Sequence, residues 1–311
     1  MNKDSRIYVA GGSGLVGSAI VRELISKGYY DIFTGVGTFD LRKKDHVDFV
    51  FKHHRPEYVF LAAAHAGGIK EAIDHPVEML SDNLLIQTNV INACHQFGVK
   101  KLIFLGSSCL YPVDGKQPYT EEQIGTGKTD ENWSYAVAKL AGIELCRAYH
   151  RQYGCNFMTV MPCNLYGIND RFDEYGHVVP SLIQKIDNEK SIRVKLWGDG
   201  RAKREFLYSD DLAEACVMLM ESYNYNDLTD GVINIGSGNQ VSILKLYDII
   251  SDAIGKYRTM SPVMEKDKPS GVHSKLMDSS RIRAFGWEPK TSLADGIEKV
   301  YEWFKNRRGV I

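Results

Sequence analysis

The chain has 311 residues, 44% hydrophobic and 25% charged, with 38 basic side chains against 39 acidic ones and a formal net charge of -1. That is an ordinary globular composition, and a chain of this length buries roughly three-quarters of its unfolded surface, so it needs no covalent staples. The near-zero charge balance argues against a protein built to coat nucleic acid or an acidic membrane; any anion it binds must be held by local geometry.

No stretch approaches the roughly 18 to 20 apolar residues of a membrane span, and Met1 to Arg6 leads into a short strand rather than a signal-peptide core. A cytoplasmic protein is expected. Cys94, Cys109, Cys146, Cys155, Cys163 and Cys216 form no CxxC pair and no zinc-type spacing with the histidines, so they read as reduced, mostly buried thiols and no metal site is expected.

In chain order, Arg6 to Ala10 is short and apolar, Gly11 to Gly17 is glycine-rich, and Ala19, Ile20, Val21, Leu24 and Ile25 have helical spacing. This reads as strand, turn and helix, with Gly28 stopping the helix. A strand near Asp31–Val36, a helix near Lys43–His54, a strand at Tyr58–Ala63, a long helix near Val77–Phe97 and a strand at Lys101–Leu105 follow. From Asp130 a helix carries Tyr135, Lys139 and Glu144 to about Tyr153, ahead of a strand at Phe157–Met161. Repeated βα units imply an α/β fold with a doubly wound, Rossmann-type parallel sheet covered on both faces. Beyond Asn164 the pattern changes. Leu165–Asp173, Ile192–Phe206 and Tyr257–Leu276 read as loop-rich, whereas Ser209–Met220 and Ile233–Ile235 read as a helix and strand returning to the main sheet. The predicted organisation is a dinucleotide-binding domain over 1–164, with return segments near 207–236, and a smaller interleaved substrate domain over 165–311.

The run Gly11-Gly12-Ser13-Gly14-Leu15-Val16-Gly17 lies between that first strand and its helix. Glycines so placed permit a tight turn and close backbone approach to a diphosphate, and the helix N-terminus supplies amide donors. A 2′-phosphate calls for Arg or Lys at the end of the second strand, an unphosphorylated ribose for a carboxylate. Asp40 is the only acid there and Arg42, Lys43 and Lys44 begin two residues later, so the residues leave NADPH and NADH both open. The basic triplet is equally compatible with a solvated helix start.

Tyr135 and Lys139 form a YxxxK pair, which a helix places on one face. A phenol near its free pKa of about 10 is a poor acid-base group at neutral pH, and an adjacent ammonium together with a positive nicotinamide favours the phenolate. Upstream, Leu105-Gly106-Ser107-Ser108-Cys109 closes a strand expected beside the cofactor strand, with Ser107 available to hydrogen-bond a carbonyl that Tyr135 protonates. A strand-end cysteine is more often packing than chemistry; His177 could simply begin a helix, Trp197 could be core, and Lys185 solvated. His65 and His273 carry no support for a catalytic role.

Glycine loop, strand-end serine and YxxxK, in that order, resemble the extended short-chain dehydrogenase/reductase family across nearly the whole chain. Gly106-Ser107-Ser108-Cys109-Leu110-Tyr111-Pro112, Ala62-Ala63-Ala64 with Gly67-Gly68-Ile69, Met161 to Gly167, Gly176 to Pro180, and Arg204-Glu205-Phe206 are similar to motifs of one branch. Its members epimerise GDP-4-keto-6-deoxy-D-mannose at C3 and C5 and reduce it at C4 to GDP-L-fucose. The resemblance implies Cys109 as base and His177 as acid, with Ser107 and Tyr135 on the carbonyl oxygen. Tyr135 is the implied proton donor in reduction, and Lys139 orients the cofactor ribose and lowers the tyrosine pKa. It implies NADP(H) held by Gly11, Gly12, Ser13, Gly14, Leu15, Val16, Gly17, Asp40, Leu41, Leu105, Gly106, Ser107, Ser108, Tyr135, Lys139, Pro162, Cys163, Asn164, Leu165 and His177. A GDP-linked 4-keto-6-deoxy sugar is expected against Lys185, Trp197, Arg204, Ser270 and Lys275. A homodimer is expected through a four-helix bundle of the helices near Leu84–Phe97 and Ala136–Tyr153.

Two positions depart from the branch's pattern: Ser270 stands where Lys-Pro-Asp-Gly is usual, and Arg171 where Asn-Phe is usual. The alternative reading is therefore C4 reduction of another GDP-4-keto sugar, such as a 6-deoxyheptose or a 3,6-dideoxyhexose, with or without epimerisation. A non-catalytic dinucleotide sensor is disfavoured because Tyr135 and Lys139 are both present, although a fold alone fixes no function.

Overall fold

A computed structural model describes residues 1–35, 37–129, 133–188, 192–256 and 260–308. In chain order it runs β1 (Ile7–Ala10), α1 (Leu15–Ser26), β2 (Ile32–Phe33), α2 (Lys44–His54), β3 (Tyr58–Leu61), α3 (Ile69–Asp74), α4 (Pro76–Gln96) and β4 (Lys101–Leu105). After α5 (Trp133–Tyr153) come β5 (Phe157–Pro162), β6 (Asn164–Tyr166), α6 (Val178–Asp187), β7 (Arg193–Trp197), β8 (Lys203–Tyr208) and α7 (Ser209–Ser222). The last part holds β9 (Val232–Ile235), β10 (Gln240–Ser242), α8 (Ile243–Ala253), β11 (Ser261–Glu265), α9 (Ser280–Ala284) and α10 (Leu293–Arg308).

Six strands make one parallel sheet in the order β2-β1-β3-β4-β5-β9. Every residue of β1, β4, β5 and β9 is buried, as parallel strands covered on both faces by crossover helices must be. Each fully buried Val, Ile, Leu or Phe contributes about 1.5–3 kcal/mol. Helix α1 packs on α7, while α4 packs on α2 and α5. The α1 helix buries Ala19, Ile20 and Leu24 and stops at Gly28, whose φ of +80° a glycine adopts without strain.

Beyond β5, β8 pairs with β6 in parallel and β10 in antiparallel fashion, and β11 pairs with β7. The buried hydrophobics form one cluster around the six-stranded sheet and a second around Tyr166, Leu182, Leu196, Phe206, Leu246 and Ile297.

Several sequence expectations need correction. Segments 165–173, 192–206 and 257–276 are not simply loop-rich, because β6, β7, β8 and β11 lie in them. In β7 the pattern is exposed, buried, exposed, buried: Arg193 and Lys195 face outward while Val194 and Leu196 face the second core, the alternation of a half-buried strand. Nor is β4 next to β1, since β3 lies between and pairs with both. Strand β2 ends at Phe33 and β3 at Leu61. Val36, Asp130 and Tyr257, where a strand end, a helix start and a loop start were expected, lie outside the described residues.

Candidate active site

A cavity of about 1030 Å³ opens beyond the C-terminal ends of the central strands and runs toward the second core. Gly14, Leu15 and Val16 form part of its wall. Gly11 has φ +86°, and a Cβ there would stand 2.6 Å from the Ala63 nitrogen; a Cβ on Gly17 would stand 2.1 Å from the Gly11 oxygen. These two glycines let α1 approach the ends of β1 and β3. Helix α1 then begins with no side-chain cap and no acid in its first turn, so its N-terminal amides and dipole are available to an anion. The cradle therefore fits a dinucleotide diphosphate. Gly11, Gly12, Ser13 and Gly17 shape this turn without lining the cavity, and Asp40 and Leu41 also lie off its wall. Asp40 is gripped by Arg42 through two 2.9 Å hydrogen bonds, which hold its carboxyl down at about 2. Arg42 also reaches Asp82 at 3.2 Å.

The β4 exit supplies the next wall. A Cβ on Gly106 would meet the Met161 sulfur at 2.3 Å, so glycine lets this turn lie against β5. The Ser107 hydroxyl accepts a hydrogen bond from the Cys109 amide at 3.3 Å, capping a single tight turn over Ser108–Leu110. Cys109 is 5% exposed and lines the cavity. Two residues on, Tyr111 is buried, stacks on Tyr119 at 4.9 Å and donates to the Asn234 side-chain oxygen, which fixes the loop.

Tyr135 and Lys139 enter from α5, one turn apart. The Lys139 ammonium donates to the Leu105 carbonyl at 2.8 Å and lies 5.6 Å from the centre of the Tyr135 ring. Lys139 is 2% exposed, and burial pushes its pKa down to about 8. Burial and, second, the Cys109 charge push the Tyr135 phenol well above its ordinary 10. Burial therefore sets the direction of the Tyr135 shift in the cofactor-free protein; the lowering implied for Lys139 together with a positive nicotinamide concerns the loaded site. A neutral phenol is the form that donates a proton.

His177 stands at the N-terminus of α6, as the helix-start reading had it, and its side chain, 42% exposed, faces the same cavity. Its Nδ1 is 3.5 Å from an oxygen of buried Asp170. Enclosure works against the charged ring, yet the Asp170 hydrogen bond and charge more than offset it, so the His177 pKa lies above 6.5. Pro162, Cys163, Asn164 and Leu165 complete the wall after β5.

At the far end, Lys185, Trp197, Arg204, Ser270 and Lys275 all line the cavity. Lys185 donates to the Lys195 carbonyl at 3.4 Å, and burial lowers its pKa. The Arg204 guanidinium, expected on a diphosphate, donates to the carbonyls of Lys203, Val272 and Ser270 at 2.8, 2.6 and 3.0 Å; it fixes the loop that carries Ser270. Lys195, Asp170 and Glu71 are polar neighbours that the sequence reading missed. The alternation in β7 could have found Lys195, but no local pattern marks Asp170 or Glu71. His65, which carried no catalytic support, sits between Glu71 and Asp82 at 2.8 and 3.1 Å.

A parallel sheet with a glycine cradle and a YxxxK pair around one cavity defines a dinucleotide-dependent enzyme fold. A sequence profile of the NAD dependent epimerase/dehydratase family matches residues 7–236, and the chain belongs to that family. It is 42% identical over 309 residues to GDP-L-fucose synthase 1 of Arabidopsis thaliana, covering 97% of this chain and 94% of that one. It is also similar to the crystal structure of a GDP-6-OMe-4-keto-L-xylo-heptose reductase from C. jejuni, with TM-score 0.93, 32% identity and 99% of both chains covered. A GDP-mannoheptose C4 reductase from Campylobacter jejuni with NADP bound gives TM-score 0.88 and 33% identity, covering 98% of this chain and 99% of that one.

Proposed function

We propose that this chain is an NADPH-dependent 3,5-epimerase/4-reductase that converts GDP-4-keto-6-deoxy-D-mannose to GDP-L-fucose. The observation that carries the reading is that Cys109 and His177, from different elements, face the same cavity as Ser107, Tyr135 and Lys139. A 4-keto group acidifies the hydrogens on C3 and C5, so inversion needs a base on one face, an acid on the other and support for the enolate oxygen. The Cys109 thiolate removes the proton, the C–H electron pair moves onto the C4 oxygen held by Ser107 and Tyr135, and protonated His177 delivers a proton to the opposite face. The raised His177 pKa favours that donor form near neutrality.

A nicotinamide cofactor held in the Gly11 to Gly17 cradle would supply hydride for C4. Tyr135 transfers its hydroxyl proton to the carbonyl oxygen, and Lys139, anchored on Leu105, holds the ribose beside it. Gly14, Leu15 and Val16 would hold the cofactor diphosphate, Lys185 and Lys275 the diphosphate of the GDP, and Trp197 would cover a ring. The substrate part is assigned to 165–311 and the cofactor part to 1–164 with the return segment 207–236. A second reading, C4 reduction of a different GDP-4-keto sugar, is favoured by Arg171 in the cavity wall and by Ser270 where a carboxylate is usual. A homodimer through α4 and α5 goes with this function; Leu85 and Tyr153 on these helices are about half exposed. So does a cytoplasmic setting, which supplies NADPH and keeps thiols reduced.

The roles separate in variants. Cys109→Ser should abolish both solvent exchange and inversion at C3 and C5, and His177→Ala inversion, while both still reduce a ketone supplied already epimerised. Wild-type rates of inversion in both variants would overturn the assignment.

A further inference from the structure

The segment from Asp170 to His177 crosses the cavity wall and is fastened to α3 and the loop before it. The Gly68 amide donates to the Tyr175 carbonyl at 2.7 Å, and Lys70 pairs with Glu174 at 3.0 Å. A Cβ on Gly176 would stand 2.1 Å from the Arg171 oxygen, so the segment folds tightly back on Arg171. The Arg171 side chain adds a link to α3 by reaching one oxygen of Glu71 at 2.9 Å, and it pairs with Asp173 within the segment at 2.6 Å. The other oxygen of Glu71 meets His65 at 2.8 Å, and the Glu71 side chain is only 4% exposed. Surface ion pairs are worth little, but a buried carboxylate that loses one of two partners is strongly penalised. The Arg171 amide also donates at 2.8 Å to Asp170 Oδ1, the oxygen that faces His177. Glu71, Arg171, Asp170 and His177 thus form one chain of contacts from α3 to the proposed acid.

We propose that Arg171 is a positioning residue for His177, its guanidinium clasping Glu71 so that Asp170 holds the imidazole aimed for proton delivery in epimerisation. This rests on the reading of His177 as the epimerisation acid. Reduction at C4 uses Tyr135, which the clasp does not touch. Loss of the clasp therefore changes the partition between the two chemistries rather than both together.

The test is product stereochemistry by NMR, with full-length enzyme, GDP-4-keto-6-deoxy-D-mannose and NADPH. Arg171→Met, which keeps an apolar stem and removes the charge, should raise the ratio of unepimerised to epimerised 4-reduced product about tenfold, short of the roughly hundredfold that a full 1 Å misplacement can cost. The KM for the ketone should stay within about twofold. Arg171→Lys, which keeps the charge and most of the packing, should recover part of the ratio, and Arg171→Met added to His177→Ala should shift it no further. An unchanged ratio with both products reduced together would overturn the proposal in favour of a purely structural role. An effect confined to KM would overturn it in favour of direct substrate contact. If His177→Ala itself leaves the ratio unchanged, the acid assignment fails first and the proposal with it.

Discussion

Replacing Lys139 with methionine should make the enzyme more stable and nearly inactive as a reductase. The ammonium is buried, and its pKa is brought from 10.5 to about 8. At about 1.4 kcal/mol per pKa unit, holding the charged form inside the fold costs about 3 kcal/mol. Methionine has a similar volume and no charge, and it loses the hydrogen bond to Leu105, which offsets about 1.5 kcal/mol of the gain. A net stabilisation of about 1.5 kcal/mol near neutrality follows for the cofactor-free protein. The pH dependence is the sharper test. Below about 8 the lysine is charged in both folded and unfolded chains, so the penalty is complete and the advantage of the variant is full. Between about 8 and 10.5 the unfolded chain binds the proton and the folded one does not, so wild-type stability rises relative to the variant as pH rises. The advantage should shrink by about 3 kcal/mol across that window, and the lost hydrogen bond then leaves the variant the less stable protein at its alkaline end. Urea unfolding of both proteins at pH 7, 9 and 10.5, without cofactor, measures this. A variant less stable at pH 7, or a difference that does not change with pH, would refute the burial argument.

Other consequences are equally direct. Asp170→Asn removes the charge that raises the His177 pKa, so the bell-shaped pH profile of inversion, which needs a Cys109 thiolate and a protonated His177, should lose height and shift to lower pH; an unchanged profile contradicts the pairing. Tyr135→Phe should lower reduction by about 10²–10⁴-fold, read as NADPH oxidation with an already epimerised ketone, and a loss under tenfold would remove Tyr135 as proton donor. Gly17→Ala places a methyl 2.1 Å from the Gly11 oxygen. It should weaken NADPH binding at least tenfold by fluorescence titration, and unchanged affinity would show that the turn tolerates displacement.

The parts of the site that the sequence made legible are those whose chemistry is local. The Gly11 to Gly17 turn, the Ser107 to Cys109 exit from β4 and the one-turn spacing of Tyr135 and Lys139 each occupy a few consecutive residues whose backbone geometry follows from their types. What the sequence hid depends on contacts across the chain. Glu71 is tied to Arg171 a hundred positions away, and Arg204 is bound by carbonyls of a loop near residue 270; no period or motif announces either. Charges also masked short strands: in β7 the outward Arg193 and Lys195 obscured a regular alternation. The upward push of burial on Tyr135 in the cofactor-free protein was hidden for a related reason, because burial is a property of the packed helix and sheet and cannot be read from a spacing of four.

The central claim, that one cavity both inverts C3 and C5 and reduces C4, is tested most directly by mass spectrometry of the product formed from GDP-4-keto-6-deoxy-D-mannose and unlabelled NADPH in deuterated water. The predicted product is GDP-L-fucose carrying solvent deuterium on carbon at both C3 and C5 and none at C4. A 4-reduced product with no carbon-bound deuterium would contradict the account, leaving Cys109 and His177 without their assigned chemistry and the chain a C4 reductase alone.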